Sequence, residues 1–440
     1  MSELADWLSR AETLHPIKID MSLDRLRPLV ASLLGGGVLA KRVITVGGTN
    51  GKGSTCATLE ALALAHGLRV GMYTSPHLIQ FNERIRLQGE DATDALICEG
   101  FRAVEQLRGD VPLTYFEITT LVAFWLFARQ SLDLVILEVG LGGRLDAVNC
   151  IDSDVAIITS VDLDHQSWLG TDREQIGREK AGILRAHHPV VLGESDPPAA
   201  VLDEAVRLES PIFRMGSTFD AVVEGPPQES QWSWKGVDGL GANVCFTRLH
   251  RNAFPLSNQA CAIQAFILTG FQFHEPQIRW ALANVRLRGR LQQVSDVPRI
   301  VLDVGHNPHA ARFLRQVIER DQAGSDRPWI ALFSALGDKD IEGVLHTLAP
   351  VMSHWHYWDM VIDRAAPRAR LDAAFARLPA TGHDNFKQAL EMVLHEIQEM
   401  SVSDSMPTLL IFGSFHVVED ALVYFDALKS TLQLKQVELN

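Results

Sequence analysis

A lysine and a serine stand inside a glycine-rich turn in Val43-Ile44-Thr45-Val46-Gly47-Gly48-Thr49-Asn50-Gly51-Lys52-Gly53-Ser54. A β-branched run precedes the turn, and a helix-forming run from Thr58 to Ala65 follows it. Glycines let backbone N–H groups crowd a polyphosphate, and a helix N-terminus adds positive potential. Lys52 would reach the outer phosphates, Gly51 and Gly53 would let the backbone approach, and Ser54 would ligate Mg²⁺. The spacing differs from the common P-loop, which has four residues between its glycines and a hydroxyl residue directly after the lysine. Here three residues separate Gly47 from Gly51, and Gly53 intervenes between Lys52 and Ser54. That spacing points away from motors and GTPases and toward another branch of ATP users.

Further carriers of chemistry lie at the ends of apolar runs. Glu138 closes Ile136-Leu137-Glu138-Val139 and is followed by Gly140, Gly142, Gly143, Arg144, Leu145 and Asp146. A carboxylate there is placed to hold a phosphate-bound Mg²⁺. His165 ends Thr159-Ser160-Val161-Asp162-Leu163-Asp164-His165, where a neutral imidazole would share the ion with Glu138. Ser75, in Tyr73-Thr74-Ser75-Pro76-His77, could offer a hydroxyl to a second Mg²⁺, although taken by itself that segment reads better as a plain proline turn. Lys180 lies in the charged helical run Gly177-Arg178-Glu179-Lys180-Ala181, as a solvated helix residue or as a servant of the phosphate site. Asp303, in Leu302-Asp303-Val304-Gly305-His306-Asn307-Pro308, would accept from ribose hydroxyls, and Arg288 and Arg290 would donate to phosphate oxygens.

The elements needed to position these residues are legible as an alternation. Strand-like runs at Arg42–Val46, Leu134–Val139, Asp154–Val161, Pro189–Gly193, Arg299–Val304, Trp329–Ser334 and Thr408–Phe412 are mostly apolar throughout. Such runs belong to parallel strands covered on both faces. Helical patterns at Glu117–Gln130, Gln259–Leu268 and Asp384–Met400 separate them. The rhythm predicts a doubly wound, mostly parallel α/β sheet domain carrying the P-loop, followed by a smaller Rossmann-like α/β domain. In such sheets ligands bind at the carboxyl ends of strands, where the informative polar residues recur. A boundary near Gln292 divides the chain into residues 1–292 and 293–440. The stretch Phe219–Arg251, rich in Gly, Pro, Trp and Ser, reads as a small β excursion of no assigned role.

The 440 residues are 47% hydrophobic with a formal net charge of −14, enough for two domains with sizeable cores. The acidic balance argues against a nucleic-acid or membrane-surface partner. Five scattered cysteines without a CxxC pair suit a reducing compartment and give no zinc signal. The segment Met1–Lys18 has no long apolar core, and the run Leu121–Ala128 is too short to cross a bilayer. The expectation is a cytoplasmic protein.

Taken in order, Gly48–Ser54, Thr74–Leu78, Leu137–Asp146, Leu163–His165, Arg178–Ile183, Gly289-Arg290 and Asp303–Pro308 closely resemble the bacterial bifunctional dihydrofolate synthase/folylpolyglutamate synthases. That family belongs with the cell-wall Mur ligases among ATP-dependent amide ligases. The resemblance runs from about His15 to Val417 and implies the following roles. Gly51, Lys52, Gly53 and Ser54 bind ATP phosphates, Asn258 contacts the adenine, and Arg290 and Asp303 complete the nucleotide site. Ser54, Ser75, Glu138 and His165 organise Mg²⁺. Lys180 matches a lysine that relatives carry as a carbamate, which turns a cation into an anion able to bind metal. The pterin lies against Ser22, Leu23, Asp24 and Arg25, against Thr114, Tyr115, Phe116 and Glu117, and against Leu145, Asp146 and Ala147. His306 contacts phosphate or the intermediate. Gly47 and Gly305 stand where relatives often have alanine, and Gln166-Ser167 replaces a more acidic or hydroxyl pair.

The implied reaction joins L-glutamate to 7,8-dihydropteroate, giving dihydrofolate, and to reduced folates, giving polyglutamates, through an acyl phosphate. The enzyme is expected to act as a monomer with small-molecule partners alone. The His15–Arg25 segment, similar to a dihydropteroate loop, favours the bifunctional enzyme over a monofunctional folylpolyglutamate synthase. A Mur ligase is the nearest rival, but about forty residues precede the P-loop, few for a UDP-binding domain. A GTPase switch lacks support, because no Asn-Lys-x-Asp guanine-reading motif is present.

Overall fold

The structure is a computed structural model of the chain. It describes residues 2–15, 20, 22–225, 231–325, 327–400 and 406–438, without side chains beyond 428. Pro16, Ile17, Lys18, Ile19 and Met21, part of the expected pterin segment, lie outside the described residues. Two compact units part between Arg286 and Leu287.

The first unit is built on an eight-stranded sheet. Its order is Glu90–Asp91, Ile85–Leu87, Val70–Tyr73, Leu132–Glu138, Ala40–Gly47, Val155–Ile158, Val190–Leu192 and Ile212–Arg214. The last six run parallel, and the first two pair antiparallel at one edge. Side chains alternate across a strand, so one strand feeds two cores. Val43 joins the core holding Tyr115–Phe127, while Ile44 and Val46 join the core under Lys52–Ala65 and Leu256–Leu268. Continuous apolar strands are the consequence.

The β excursion is real: Asp220–Val223, Gln231–Val237 and Asn243–His250 form a three-stranded antiparallel sheet. Trp232, Trp234, Phe246 and Leu249 are buried in the same core as Leu256–Leu268. Trp234 Nε1 donates to the Ala260 carbonyl over 3.2 Å. Its role in the fold is therefore to cover the helix that carries Asn258.

The second unit holds a six-stranded sheet ordered Gln292–Asp296, Arg299–Asp303, Thr408–Phe412, Trp329–Phe333, His354–Trp358 and Ala380–His383. Only the first pair is antiparallel. Trp329, Ala331, Phe333, Trp355 and Tyr357 face a core with Pro308–Gln322, Ile341–Leu348 and Arg368–Phe375. No helix among the described residues is long and apolar enough to cross a membrane.

Candidate active site

Parallel pairing decides where the chemistry gathers. The registers Tyr73↔Leu137, Val46↔Glu138 and Gly47↔Ile158 bring the carboxyl ends of four neighbouring strands level. Ser75, Glu138, the glycine-rich turn and the Thr159–His165 loop all leave the sheet at that edge.

The turn is held by its neighbour strand. Thr49 N–H donates to the Ser160 carbonyl over 2.8 Å, and Asn50 N–H donates to Ser160 Oγ over 3.1 Å. Thr159 Oγ1 donates to the Asn50 carbonyl over 2.6 Å. A Cβ on Gly48 would stand 1.8 Å from Thr159 Oγ1, so glycine is required for this close approach. Gly51, with φ of +88°, precedes the helix Lys52–Ala65, whose N-terminus has no side-chain cap. Its leading N–H groups have no intrahelical acceptor and point out of the turn, as an anion needs. Lys52 Nζ curls over the turn, 3.0 Å from the Gly48 carbonyl. These groups fit a polyphosphate.

Asn258 and Ser54 are both buried, and Asn258 Nδ2 donates to Ser54 Oγ over 2.8 Å. Ser54 Oγ in turn donates to the Gly51 carbonyl over 3.1 Å. The buried carboxylate of Glu138 accepts from Ser75 N–H over 3.1 Å. Ser75 and Glu138 are thus in direct contact, a carboxylate and a hydroxyl residue suited to a divalent ion. His165, exposed and left-handed at φ of +50°, starts the single helical turn Gln166–Leu169 at the same edge.

Lys180 is buried on the helix Arg173–Ala181. Burial first, and Lys52 next, bring its ammonium down to about 7, while Asp164 and Asp146 act in the opposite sense. Asp146 is pushed up to about 6 by burial, against the N–H groups of Leu141 and Val148 that it accepts. The first unit therefore sets Lys52, Asp164 and Asp146 close enough to act on the Lys180 ammonium.

Beside this edge lies a cleft of ≈ 260 Å³, walled by Ser75, Phe116, Gly140, Leu141, Leu145, Asp146 and Ala147, with Thr114 and Glu117. Thr114 and Glu117 owe their positions to local helix chemistry. Glu117 N–H donates to Thr114 Oγ1 and Thr114 N–H donates to Glu117 Oε2, a capping box opening Tyr115–Phe127. Glu117 also receives Arg25 through Nε at 2.9 Å and Nη2 at 2.8 Å, which ties the N-terminal segment to this helix. Ser22, Leu23, Asp24, Arg25 and Tyr115 are not among the cleft walls; Leu23 is buried in the core with Leu26 and Leu29.

In the second unit, Asp303 Oδ2 accepts from Leu291 N–H over 2.9 Å, and Oδ1 accepts from Gly305 N–H over 2.7 Å. Burial raises its carboxyl, with Arg290 opposing. Val304 N–H donates to the Gly289 carbonyl over 2.9 Å, so Gly289–Leu291 is stitched to the strand end. The Arg290 guanidinium lies 5.3 Å over the Phe415 ring, and His306 Nδ1 lies 2.9 Å from the Val304 carbonyl.

The glutamate ligase domain family of the Mur ligases matches residues 289–415. The dihydrofolate synthase/folylpolyglutamate synthase of Escherichia coli (strain K12) is 40% identical over 429 residues, covering 98% of this chain and 97% of its own. This chain belongs to the dihydrofolate synthase/folylpolyglutamate synthase family. The Haemophilus influenzae member is 38% identical, covering 95% of this chain and 97% of its own. The solved E. coli FolC in complex with DHPP and ADP superposes with a TM-score of 0.88 at 40% identity, covering 97% of this chain and 99% of that one. The Yersinia pestis family member complexed with AMPPNP and Mn ion gives 0.86 at 39% identity, covering 97% and 98%. The α/β architecture expected from the strand rhythm is the architecture of this family.

Two further residues of this family member line the cleft: Asp20, which lies in the His15–Arg25 segment without a role of its own, and Arg84, which lies outside every motif. Asp20 pairs with Arg25 through Nη1 over 2.5 Å. Arg84 is buried, donates through Nε to His77 Nδ1 over 2.8 Å, and lies over the Phe81 and Tyr115 rings. That bond leaves His77 neutral, its imidazole lowered to about 4 by burial and then by Arg84. Asn82-Glu83-Arg84-Ile85-Arg86 reads locally as a solvated charged run. The one usable signal was its place shortly after the Thr74–Leu78 motif.

Proposed function

We propose that this chain uses ATP to join L-glutamate to 7,8-dihydropteroate and to reduced folates through an acyl phosphate. One observation carries the reading: Ser75 stands in the wall of the cleft and also donates its N–H to Glu138, at the sheet edge where the P-loop turn ends. Acceptor cleft and phosphate turn therefore adjoin within one unit, as transfer of a phosphoryl group to a bound carboxylate requires.

The acceptor carboxylate attacks the γ-phosphorus of ATP and ADP leaves. The α-amine of glutamate then attacks the acyl carbon, an N–C bond forms, the C–O bond to the phosphoryl group breaks, and inorganic phosphate departs with that bridging oxygen while the nitrogen sheds a proton. Lys52 and the N-terminus of Lys52–Ala65 offset charge on the transferring phosphoryl group, and the protein's contribution is mainly positioning and charge neutralisation. Ser54, Ser75, Glu138 and His165 are the residues that would hold a divalent ion, proposed to be Mg²⁺, which would supply further charge neutralisation. Asn258, Arg290 and Asp303 are the remaining proposed nucleotide contacts, and His306 the proposed contact for phosphate or intermediate. The cleft residues Thr114, Phe116, Glu117, Leu145, Asp146 and Ala147 hold the pterin, with Ser22–Arg25 and Tyr115 supporting that wall.

Lys180 is proposed to work as its carbamate. With the ammonium lowered to about 7, a large share of the amine is neutral at physiological pH. The neutral amine attacks CO₂, forms an N–C bond and releases one proton. The resulting anion relieves the repulsion with Lys52. The five cysteines, all free, fit the proposed cytoplasmic setting, and a monomer is the proposed working form.

Steady-state assays with dihydropteroate and with a reduced folate test the reading. Glutamate- and acceptor-dependent ADP release with both is the expected result. Turnover of folate but never of dihydropteroate would reduce the enzyme to a folylpolyglutamate synthase, the activity named for a Lacticaseibacillus casei relative 30% identical to this chain. ADP release that ignores both acceptors would remove the ligase reading altogether.

A further inference from the structure

In the second unit, three side chains from two elements converge apart from that unit's Asp303. His354 and His356 occupy alternate positions on the strand His354–Trp358 and so project from the same face. Glu396 comes from the helix Phe386–Met400 packed on that face. One ligand atom from each of the three lies within 4.8 Å of the other two. The ligand atoms of a tetrahedral ion held at ~2.0–2.2 Å stand roughly 3.3 Å apart, so small side-chain rotations close the set.

The contact between His356 and Glu396 is hard to explain without a cation. His356 is 2% exposed, and its Nε2 lies 3.0 Å from Glu396 Oε2. That nitrogen nevertheless makes no aligned hydrogen bond among the described residues. The buried imidazole is set directly against the carboxylate, and its geometry gives that nitrogen no aligned partner among the described residues. Its other nitrogen, Nδ1, is 2.9 Å from His383 Nε2, and the two rings stack at 5.2 Å. If His356 Nδ1–H is the donor, Nε2 presents a lone pair to a carboxylate oxygen, which is repulsive unless a positive charge sits between them. If His383 is the donor, the Nε2–H is misaligned for the carboxylate.

We propose that His354, His356 and Glu396 form a binding site for a divalent transition-metal ion of the zinc type, with His383 as the outer partner that orients His356. Two imidazoles and one carboxylate make a donor set that suits zinc and its neighbours in the first transition row better than Mg²⁺. An outer hydrogen bond to a ligating imidazole is the usual way its ring and tautomer are fixed. His354 is similarly tethered, with Nε2 3.0 Å from Thr381 Oγ1. Glu396 is partly exposed, which gives the ion a path from solvent. The site is separate from Asp303. His354 is level with Ile300 through the registers of the parallel strands, three residues short of Asp303 and three strands away. That is roughly 10 Å along the strands and about 14 Å across them. The ion would pin the strand His354–Trp358 to the helix Phe386–Met400, a structural rather than catalytic task.

The test uses the full chain, stripped with EDTA and returned to excess Mg²⁺ so that the nucleotide-linked metal site is filled. Calorimetric titration with ZnCl₂ should show one tight equivalent in the wild type. His354→Gln and Glu396→Ala, both partly exposed positions, should each weaken it more than tenfold, and His383→Gln roughly 10–100-fold. Co²⁺ should give the intense visible bands of a tetrahedral complex, lost in the His354→Gln/Glu396→Ala double variant. Ligase turnover in Mg²⁺ should be unchanged in both single variants. Absence of a tight Zn²⁺ equivalent in the wild type would overturn the site. So would equal affinity and stoichiometry in the wild type and the double variant, with circular dichroism showing both folded.

Discussion

Replacing Lys180 by methionine should give a protein whose stability advantage over the wild type shrinks as the pH rises. The buried ammonium is lowered from 10.5 to about 7 by burial and by Lys52. In the unfolded chain the same group titrates near its ordinary value. Between these two values the unfolded state binds more protons than the folded state, so wild-type stability climbs with pH across that window. Below pH 7 both states are protonated and the full cost of a buried cation is present. The shift of about 3.5 units corresponds to roughly 5 kcal/mol at the order-of-magnitude level. Between pH 7 and pH 9 the folded lysine sheds most of its proton while the unfolded one keeps it, which recovers about 2 kcal/mol for the wild type. Methionine has nearly the same length and carries no proton, so its stability lacks this slope. Urea melts of both proteins at pH 7 and pH 9, in argon-purged buffer to exclude CO₂, measure the difference. Adding bicarbonate at pH 7.5 should then stabilise the wild type alone. A Lys180→Met advantage that stays constant across that range would show that the ammonium is not destabilised by its surroundings, and the argument for a neutral, CO₂-reactive amine would fail with it.

Three further outcomes are expected. Lys52→Ala should lower kcat for ligation at least 10²–10³-fold, the usual cost of removing one electrostatic donor from a transition state, while the thermal midpoint moves little; near-normal turnover would remove Lys52 from the phosphate site. Gly51→Ala places a Cβ 2.6 Å from the Asn258 amide at a φ of +88°, so it should cost about 1–3 kcal/mol in denaturant melts and weaken ATP binding in calorimetry. Glu117→Gln keeps the capping box but discharges the partner of Arg25, so it should cost about 1.5–3 kcal/mol and raise KM for dihydropteroate more than KM for ATP; equal rises in both would separate Glu117 from the acceptor cleft.

The legible elements share one property: they are continuous, apolar and central. Thr408–Phe412 coincides with its expected range, and Ala40–Gly47, Leu132–Glu138 and Arg299–Asp303 fall within a residue or two of theirs. A strand covered on both faces must be apolar at every position, and that signal needs no neighbour to read. Most strands that went unread are edge or mixed ones, and the exception, Val70–Tyr73, is buried and central but only four residues long with a glycine in it. Glu90–Asp91 and Gln292–Asp296 are polar because one side faces solvent, and His354–Trp358 alternates histidine with aromatic residues. Their strand character comes from the partner that each pairs with.

By itself the sequence determined that a glycine-rich turn with a lysine follows a buried strand, that an acidic residue ends another, and that the two recur in the order of one ligase family. Those are local facts, written in glycine spacing and in the burial of a single segment. Only the tertiary structure decided that Ser75 would touch Glu138, that Arg84 would be buried between His77 and two aromatic rings, and that Lys180 would lose most of its hold on a proton. A charge run looks solvated until distant helices exclude water from it. Exclusion of water, rather than residue type, is what lowers the proton affinity of a lysine.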